Sequence, residues 1–257
     1  MRTEIPYHVI PESTTGLLVL VVSLTMDEVL IDMKALAVDT KKIQQNDEEE
    51  TVVYDVGYEQ EPFDKWLEDN MPSVIRSDKA DFVGVLRDNQ ASINKPESDV
   101  MGLMNAFTRV IASDRELVTK QLLFSLAEKF HVTSGKWMLI PVKTGLKVDV
   151  LWTKVAKAIA EAQIPCHYAK VSTMNADKLM TDPSHVICIY NNNFLNLDEV
   201  RALESGIRSI GLRGKLCYKP DVYTYCGIYS RNQWGISPII SKSNYDIKLE
   251  KSRIELF

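Results

Sequence analysis

Cysteine is scarce in this 257-residue chain. Its four copies, Cys166, Cys188, Cys217 and Cys226, never form a C-x-x-C pair. That spacing argues against a zinc knuckle or a dithiol redox centre. All four sit in apolar, strand-like runs, where a reduced thiol packs as a small hydrophobe. A reducing compartment is expected, hence the cytoplasm, with the nucleus as the alternative. Long apolar runs are missing too. The only extended one, Leu17 to Leu24, falls far short of the roughly 20 residues a bilayer span needs, so no membrane association is expected. Glu4, Pro6, Pro11 and Glu12 precede it and no small-residue cleavage site follows; a signal peptide is not expected. The run reads as a strand or an N-terminal packing segment.

Catalytic patterns are equally thin. Gly135-Lys136 hints at a phosphate loop, but the upstream Gly is absent and Trp137 stands where Ser or Thr is required. Cys166 and His167 are sequence neighbours on an expected strand and so point to opposite faces, which prevents proton sharing. Cys188 with His131 or His185 is arithmetically open but carries no motif. Asp198-Glu199 reads as a helix start whose carboxylates meet the dipole. A non-catalytic protein with no cofactor and no metal is expected; an enzyme is the lesser alternative.

Charge is what the chain has, unevenly placed. Residues 1–100 hold 9 Lys/Arg against 21 Asp/Glu, a net of −12; residues 101–257 hold 21 against 14, a net of +7. This predicts a basic body facing a polyanion or covered by an acidic arm, unless the acidic excess is simply a linker. The tract Asp47-Glu-Glu-Glu50 marks a boundary. Residues 1–50 are expected as an N-terminal extension with an acidic linker, 51–245 as one domain, and 246–257 as a tail.

Within that domain strands and helices alternate. Strands are expected at Val52–Tyr54, Phe82–Leu86, Lys136–Ile140, His167–Ser172 and Val186–Tyr190, and near Leu216, Tyr223 and Ile236. Between His167–Ser172 and Val186–Tyr190 runs a polar loop with Lys178 and Pro183. Asp99 is a plausible N-cap for a helix burying Val100, Leu103, Met104, Phe107 and Ile111. Further helices are expected at Phe63–Leu67, Asp114–Phe130, from Asp149 with Trp152, Val155, Ala156 and Ile159 inward, and from Asp198 to a Gly211 cap. The expected fold class is α+β: a single curved, mostly antiparallel sheet with helices packed on one face.

Two segments carry candidate binding residues. Tyr168-Ala-Lys-Val-Ser172 alternates so that Tyr168, Lys170 and Ser172 share one face, suited to a phosphate and a stacked base. Tyr218-Lys-Pro-Asp-Val-Tyr-Thr-Tyr-Cys-Gly-Ile-Tyr229, read as a turn and a strand, puts Tyr223, Tyr225, Gly227 and Tyr229 on one side. Both faces have a plainer use, as a solvated edge or a surface covered by a helix. Trp137 and Trp152 are expected in the core, Trp66 and Trp234 partly exposed.

Ser134-Gly-Lys-Trp-Met138, Tyr168–Ser172, His185-Val-Ile-Cys-Ile-Tyr190 and Tyr218–Tyr229 through Trp234 together resemble the basophilic leukaemia-expressed protein family, over roughly residues 52–241. That family is similar in fold to the mRNA cap-binding translation initiation factor. The factor's Gly-Gly-Arg-Trp strand looks like Ser134-Gly-Lys-Trp137, and its Arg-Phe-Trp helix like Val150-Leu-Trp152. The resemblance implies a curved antiparallel sheet backed by helices. Cap recognition transfers less readily than the fold, because the factor's Trp-Glu pair has no counterpart: the chain has no Trp-Glu dipeptide.

The expected function is non-catalytic binding of RNA, a nucleotide or another anionic ligand on a concave sheet face. Lys170 and Lys219 would meet phosphate, Tyr223 and Tyr225 would stack, and Ser172 would donate a hydrogen bond. The alternative is a protein–protein adaptor whose helical face, around Trp66, holds a partner. Neither reading fixes an oligomeric state.

Overall fold

A computed structural model describes residues 50–87, 97–143, 145–174 and 184–256. Leu17–Leu24, most of the acidic tract, and Lys178 and Pro183 lie outside them. The described elements run β1 (Thr51–Asp55), α1 (Phe63–Asp69), β2 (Phe82–Leu86), α2 (Val100–Ser113), α3 (Lys120–Lys129), β3 (Gly135–Lys143), α4 (Leu146–Ala160), β4 (Tyr168–Ser172), β5 (Ser184–Asn191), α5 (Leu197–Ser209), β6 (Leu216–Pro220), α6 (Asp221–Tyr225), β7 (Ser241–Asp246) and β8 (Lys251–Leu256). The strands form one eight-stranded sheet in the order β1-β2-β4-β5-β3-β6-β7-β8. The fold is α+β. β1 joins β2 in parallel and every other pairing is antiparallel, so the sheet is mixed.

Period-two alternation decides which face is buried. Val83, Val85, Ala169, Val171, Ile187, Ile189, Trp137, Leu139, Leu216 and Tyr218 are inaccessible or nearly so and merge into one hydrophobic cluster. The helices supply its other half: Leu103, Phe107 and Ile111 from α2, Trp152, Val155, Ala156 and Ile159 from α4, and Val200, Leu203 and Ile207 from α5. The Trp137 indole N–H donates to the Val200 carbonyl at 3.0 Å, which ties β3 to α5. Burying one such large side chain is worth about 2–3 kcal/mol.

Helix starts follow their caps. Asp99 accepts from the Gly102 amide at the head of α2, and Asn196 from the Asp198 and Glu199 amides at the head of α5. Gly211, at φ +84, follows α5 as expected. The helix expected over Asp114–Phe130 is split. Asp114 is extended, a 3₁₀ turn covers Arg115–Leu117, and Thr119 caps a fresh start at Lys120. α4 begins at Leu146 rather than at Asp149, which freed its carboxylate to accept from the Ser73 hydroxyl and amide at 2.6 and 3.1 Å.

The last third departs most from expectation. No strand forms at Tyr223: Pro220 ends β6 and residues 221–225 wind into α6, closed by the Cys226 amide bonding the Val222 carbonyl and by Gly227 at φ +68. Five residues are too few for either period to show. Ile236 is likewise irregular, and the next strand begins at Ser241. Lys251–Leu256 forms β8, which pairs with β7 along six registers from Ser241↔Leu256 to Asp246↔Lys251. A buried ion pair secures this corner. Arg208 on α5 donates to Glu204 at 2.8 Å and to the Ser243 carbonyl and hydroxyl, while the Ser252 hydroxyl donates to Glu204 at 3.1 Å.

Candidate functional site on the second sheet face

The other face of the sheet carries the lysines. Lys170 on β4 pairs with Cys188 on β5, Cys188 with Met138 on β3, Met138 with Cys217 on β6, and Cys217 with Lys242 on β7. One pleat away, Tyr190, Lys136 and Lys219 form a second row across β5, β3 and β6. Tyr168 continues it on β4, its ring centroid 5.2 Å from that of Tyr190. Gly84 makes room for this ring: a Cβ there would stand 3.2 Å from Tyr168 Cε2. Lys170 and Ser172 therefore share a face with Tyr168, as the alternation predicts.

Lys136 and Lys219 are Cα partners in the β3–β6 ladder and both are buried, at 9% and 5% exposure. Their environments differ. Lys136 Nζ donates to Asp221 at 2.8 Å and lies 5.1 Å from the Tyr190 centroid. Asp221 is fixed in turn by the Ser134 hydroxyl, which donates at 2.6 Å. Burial opposes the charge on Lys136, but Asp221 outweighs it and the pKa ends above its ordinary 10.5. Lys219 makes no ion pair among the described residues. Its Nζ stands 3.7 Å from the centroid of the half-exposed Tyr229 ring. Burial first, and the neighbouring Lys136 ammonium second, bring it down to about 8.

Lys170 rests 3.8 Å over the Phe82 ring. Ser172, expected as a donor, has its hydroxyl accepting from the Val186 amide at 3.0 Å. Tyr223 does not belong to this face. It lies at 0% exposure among the helices, tilted 6.2 Å from Phe124, and burial pushes its phenol up to about 12. Tyr225 is half-buried against the same core. Trp66 is 7% exposed rather than presented to a partner, its ring 5.1 Å from Tyr54 and stacked on Phe63. Trp234 is partly buried, edge-on to Phe107.

Lys136, Tyr190 and Asp221 escaped the sequence reading as site residues. A signal existed: a lysine amid Gly-Lys-Trp-Met-Leu, at the start of an apolar strand, is out of place unless it is paired or functional. The Cys166 thiol bonds the Tyr168 carbonyl, and burial pushes it up to about 12. Among the described residues no group of His, Cys, Asp and Glu could hold a metal ion, and no helix is long and apolar enough to cross a membrane.

A family model described as basophilic leukemia-expressed protein Bles03 matches residues 41–227. The match spans β1 to α6 and takes in Lys136, Lys170, Lys219 and Asp221.

Proposed function

The chain belongs to the basophilic leukemia-expressed protein Bles03 family, and we propose that it binds a phosphate-bearing ligand, a nucleotide or single-stranded RNA, on the lysine-bearing sheet face without transforming it. The observation that carries this reading is the Lys136–Lys219 pair. Asp221 neutralises one of the two buried ammonium groups, which leaves a net positive site with a desolvated donor. A buried cation without a counter-ion is costly, and a bound phosphate would relieve it. The Tyr168–Tyr190 row offers base-stacking rings beside that charge. Lys170, two strands from β3, extends the positive track for a second phosphate.

In this reading the architecture is a curved sheet like that of the cap-binding translation initiation factor, used in the cytoplasm on an RNA or nucleotide. Tyr168 and Tyr190 take the stacking role expected of Tyr223 and Tyr225. The test is a fluorescence titration at low salt with a nucleoside triphosphate in one arm and a labelled single-stranded oligoribonucleotide in the other. Wild type should bind at least one of them. Lys219→Met should weaken binding about tenfold or more, in line with a charge-assisted contact of 1.5–3 kcal/mol. Binding of neither, or equal binding by the variant, would overturn the reading. Preference for the oligonucleotide over the triphosphate would identify RNA as the source of the phosphate.

A further inference from the structure

We infer that Lys219 is a nucleophilic amine, able to form an imine with a small aldehyde or ketone ligand. This goes beyond non-covalent binding, and it rests on that reading only in making an anionic carbonyl compound the preferred ligand. The geometry has three parts. The amine is buried on a sheet face, Lys136 stands directly opposite on β3, and no carboxylate among the described residues reaches its Nζ. The charged and titratable groups around it are Lys136 from β3, Asp221 from α6, Cys188 from β5 and Tyr229 from the segment after α6. Asp221 is committed to Lys136 and Ser134, so its help to Lys219 is indirect.

A lysine desolvated beside another cation is a recognised way to free the amine lone pair. With its pKa at about 8, about one-tenth of Lys219 is neutral at pH 7, roughly 200 times the fraction of an ordinary lysine. The lone pair attacks the carbonyl carbon and the oxygen takes up a proton to give a carbinolamine. A further proton, from solvent, lets the hydroxyl leave as water and gives a protonated imine, whose positive charge replaces the one Lys219 gave up. The Tyr229 ring, 52% exposed, lies over the amine with its centroid 3.7 Å from Nζ, so its removal uncovers Lys219.

The test uses butanal, a neutral aldehyde, with cyanoborohydride at pH 7 to trap the imine as a secondary amine, followed by peptide mass mapping. Wild type, Lys219→Arg and Tyr229→Ala are compared. Lys219 should be alkylated at least about tenfold faster than the exposed Lys248 and Lys251, in wild type or once Tyr229 is removed, and the adduct should vanish in Lys219→Arg. Labelling of Lys219 no faster than those two in both wild type and Tyr229→Ala would overturn the inference. A parallel arm adds inorganic tripolyphosphate. Protection of Lys219 supports the phosphate site as well, whereas fast unprotected labelling upholds the amine chemistry and removes the phosphate reading.

Discussion

Lys136 and Lys219 stand opposite each other on β3 and β6, yet Asp221 pairs with Lys136 alone, at 2.8 Å. Of the two buried ammonium groups, Lys136 thus holds the counter-ion and Lys219 feels it only at a distance. Asp221→Asn keeps the shape and leaves Lys136 as uncompensated as Lys219. Breaking a buried pair from one side costs about 3–5 kcal/mol. Urea unfolding at pH 7 should show a loss of that order. The loss should shrink at alkaline pH, because Lys136 would then shed its proton in the folded state.

Lys219 gives stability a signed pH dependence. Its folded pKa of about 8 lies below its ordinary 10.5. Between those values the unfolded chain binds the extra proton, so unfolding becomes harder as pH rises. Cys166 and Cys226, pushed by burial to about 12, act in the opposite sense above the usual thiol range. The informative quantity is therefore the difference between wild type and Lys219→Met. Relative to the variant, wild type should gain about 1–3 kcal/mol between pH 7.5 and 10. Parallel curves would contradict the shifted lysine.

Trp66 tests where the helical face ends and the core begins. It is 7% exposed between Tyr54 and Phe63. Trp66→Ala should cost about 3–5 kcal/mol in denaturant unfolding, the usual range for deleting a buried large aromatic. A surface residue awaiting a partner would lose almost nothing.

Glu204 tests whether the chain's last strands belong to the sheet. It receives Arg208 from its own helix and the hydroxyls of Ser243 and Ser252 from β7 and β8. Glu204→Gln should leave a buried guanidinium unpaired and lower stability by about 3–5 kcal/mol. Hydrogen exchange should quicken first in residues 241–256, where the network is anchored.

The sheet was legible in the sequence wherever alternation ran for five residues or more between clear turns. Tyr168–Ser172 is the best case: Ala169 and Val171 turned inward and Tyr168, Lys170 and Ser172 outward. The Asp99 cap and the apolar spacing of α2 were equally plain. Asp221–Tyr225 was not, because two tyrosines spaced by two suit a strand while the turn before them also starts a helix. β8 escaped because Lys-Ser-Arg-Ile-Glu-Leu is mostly polar and exposed, as befits an edge strand. The site was half visible. Lys170, Ser172 and Lys219 could be named from alternation and charge. The partnership of Lys136 with Lys219 depends on β3 and β6 being neighbours, which no spacing along the chain encodes.

The most direct measurement is a carbon NMR titration of protein carrying ¹³C at the lysine ε position. One resonance, absent in Lys219→Arg, should titrate near pH 8, well below the ordinary lysine value of about 10.4. A saturating nucleoside triphosphate should move that midpoint upward, because an anion favours the charged amine. If every lysine titrates above pH 10, or the triphosphate leaves the shifted resonance in place, Lys219 is not the uncompensated cation of a phosphate site.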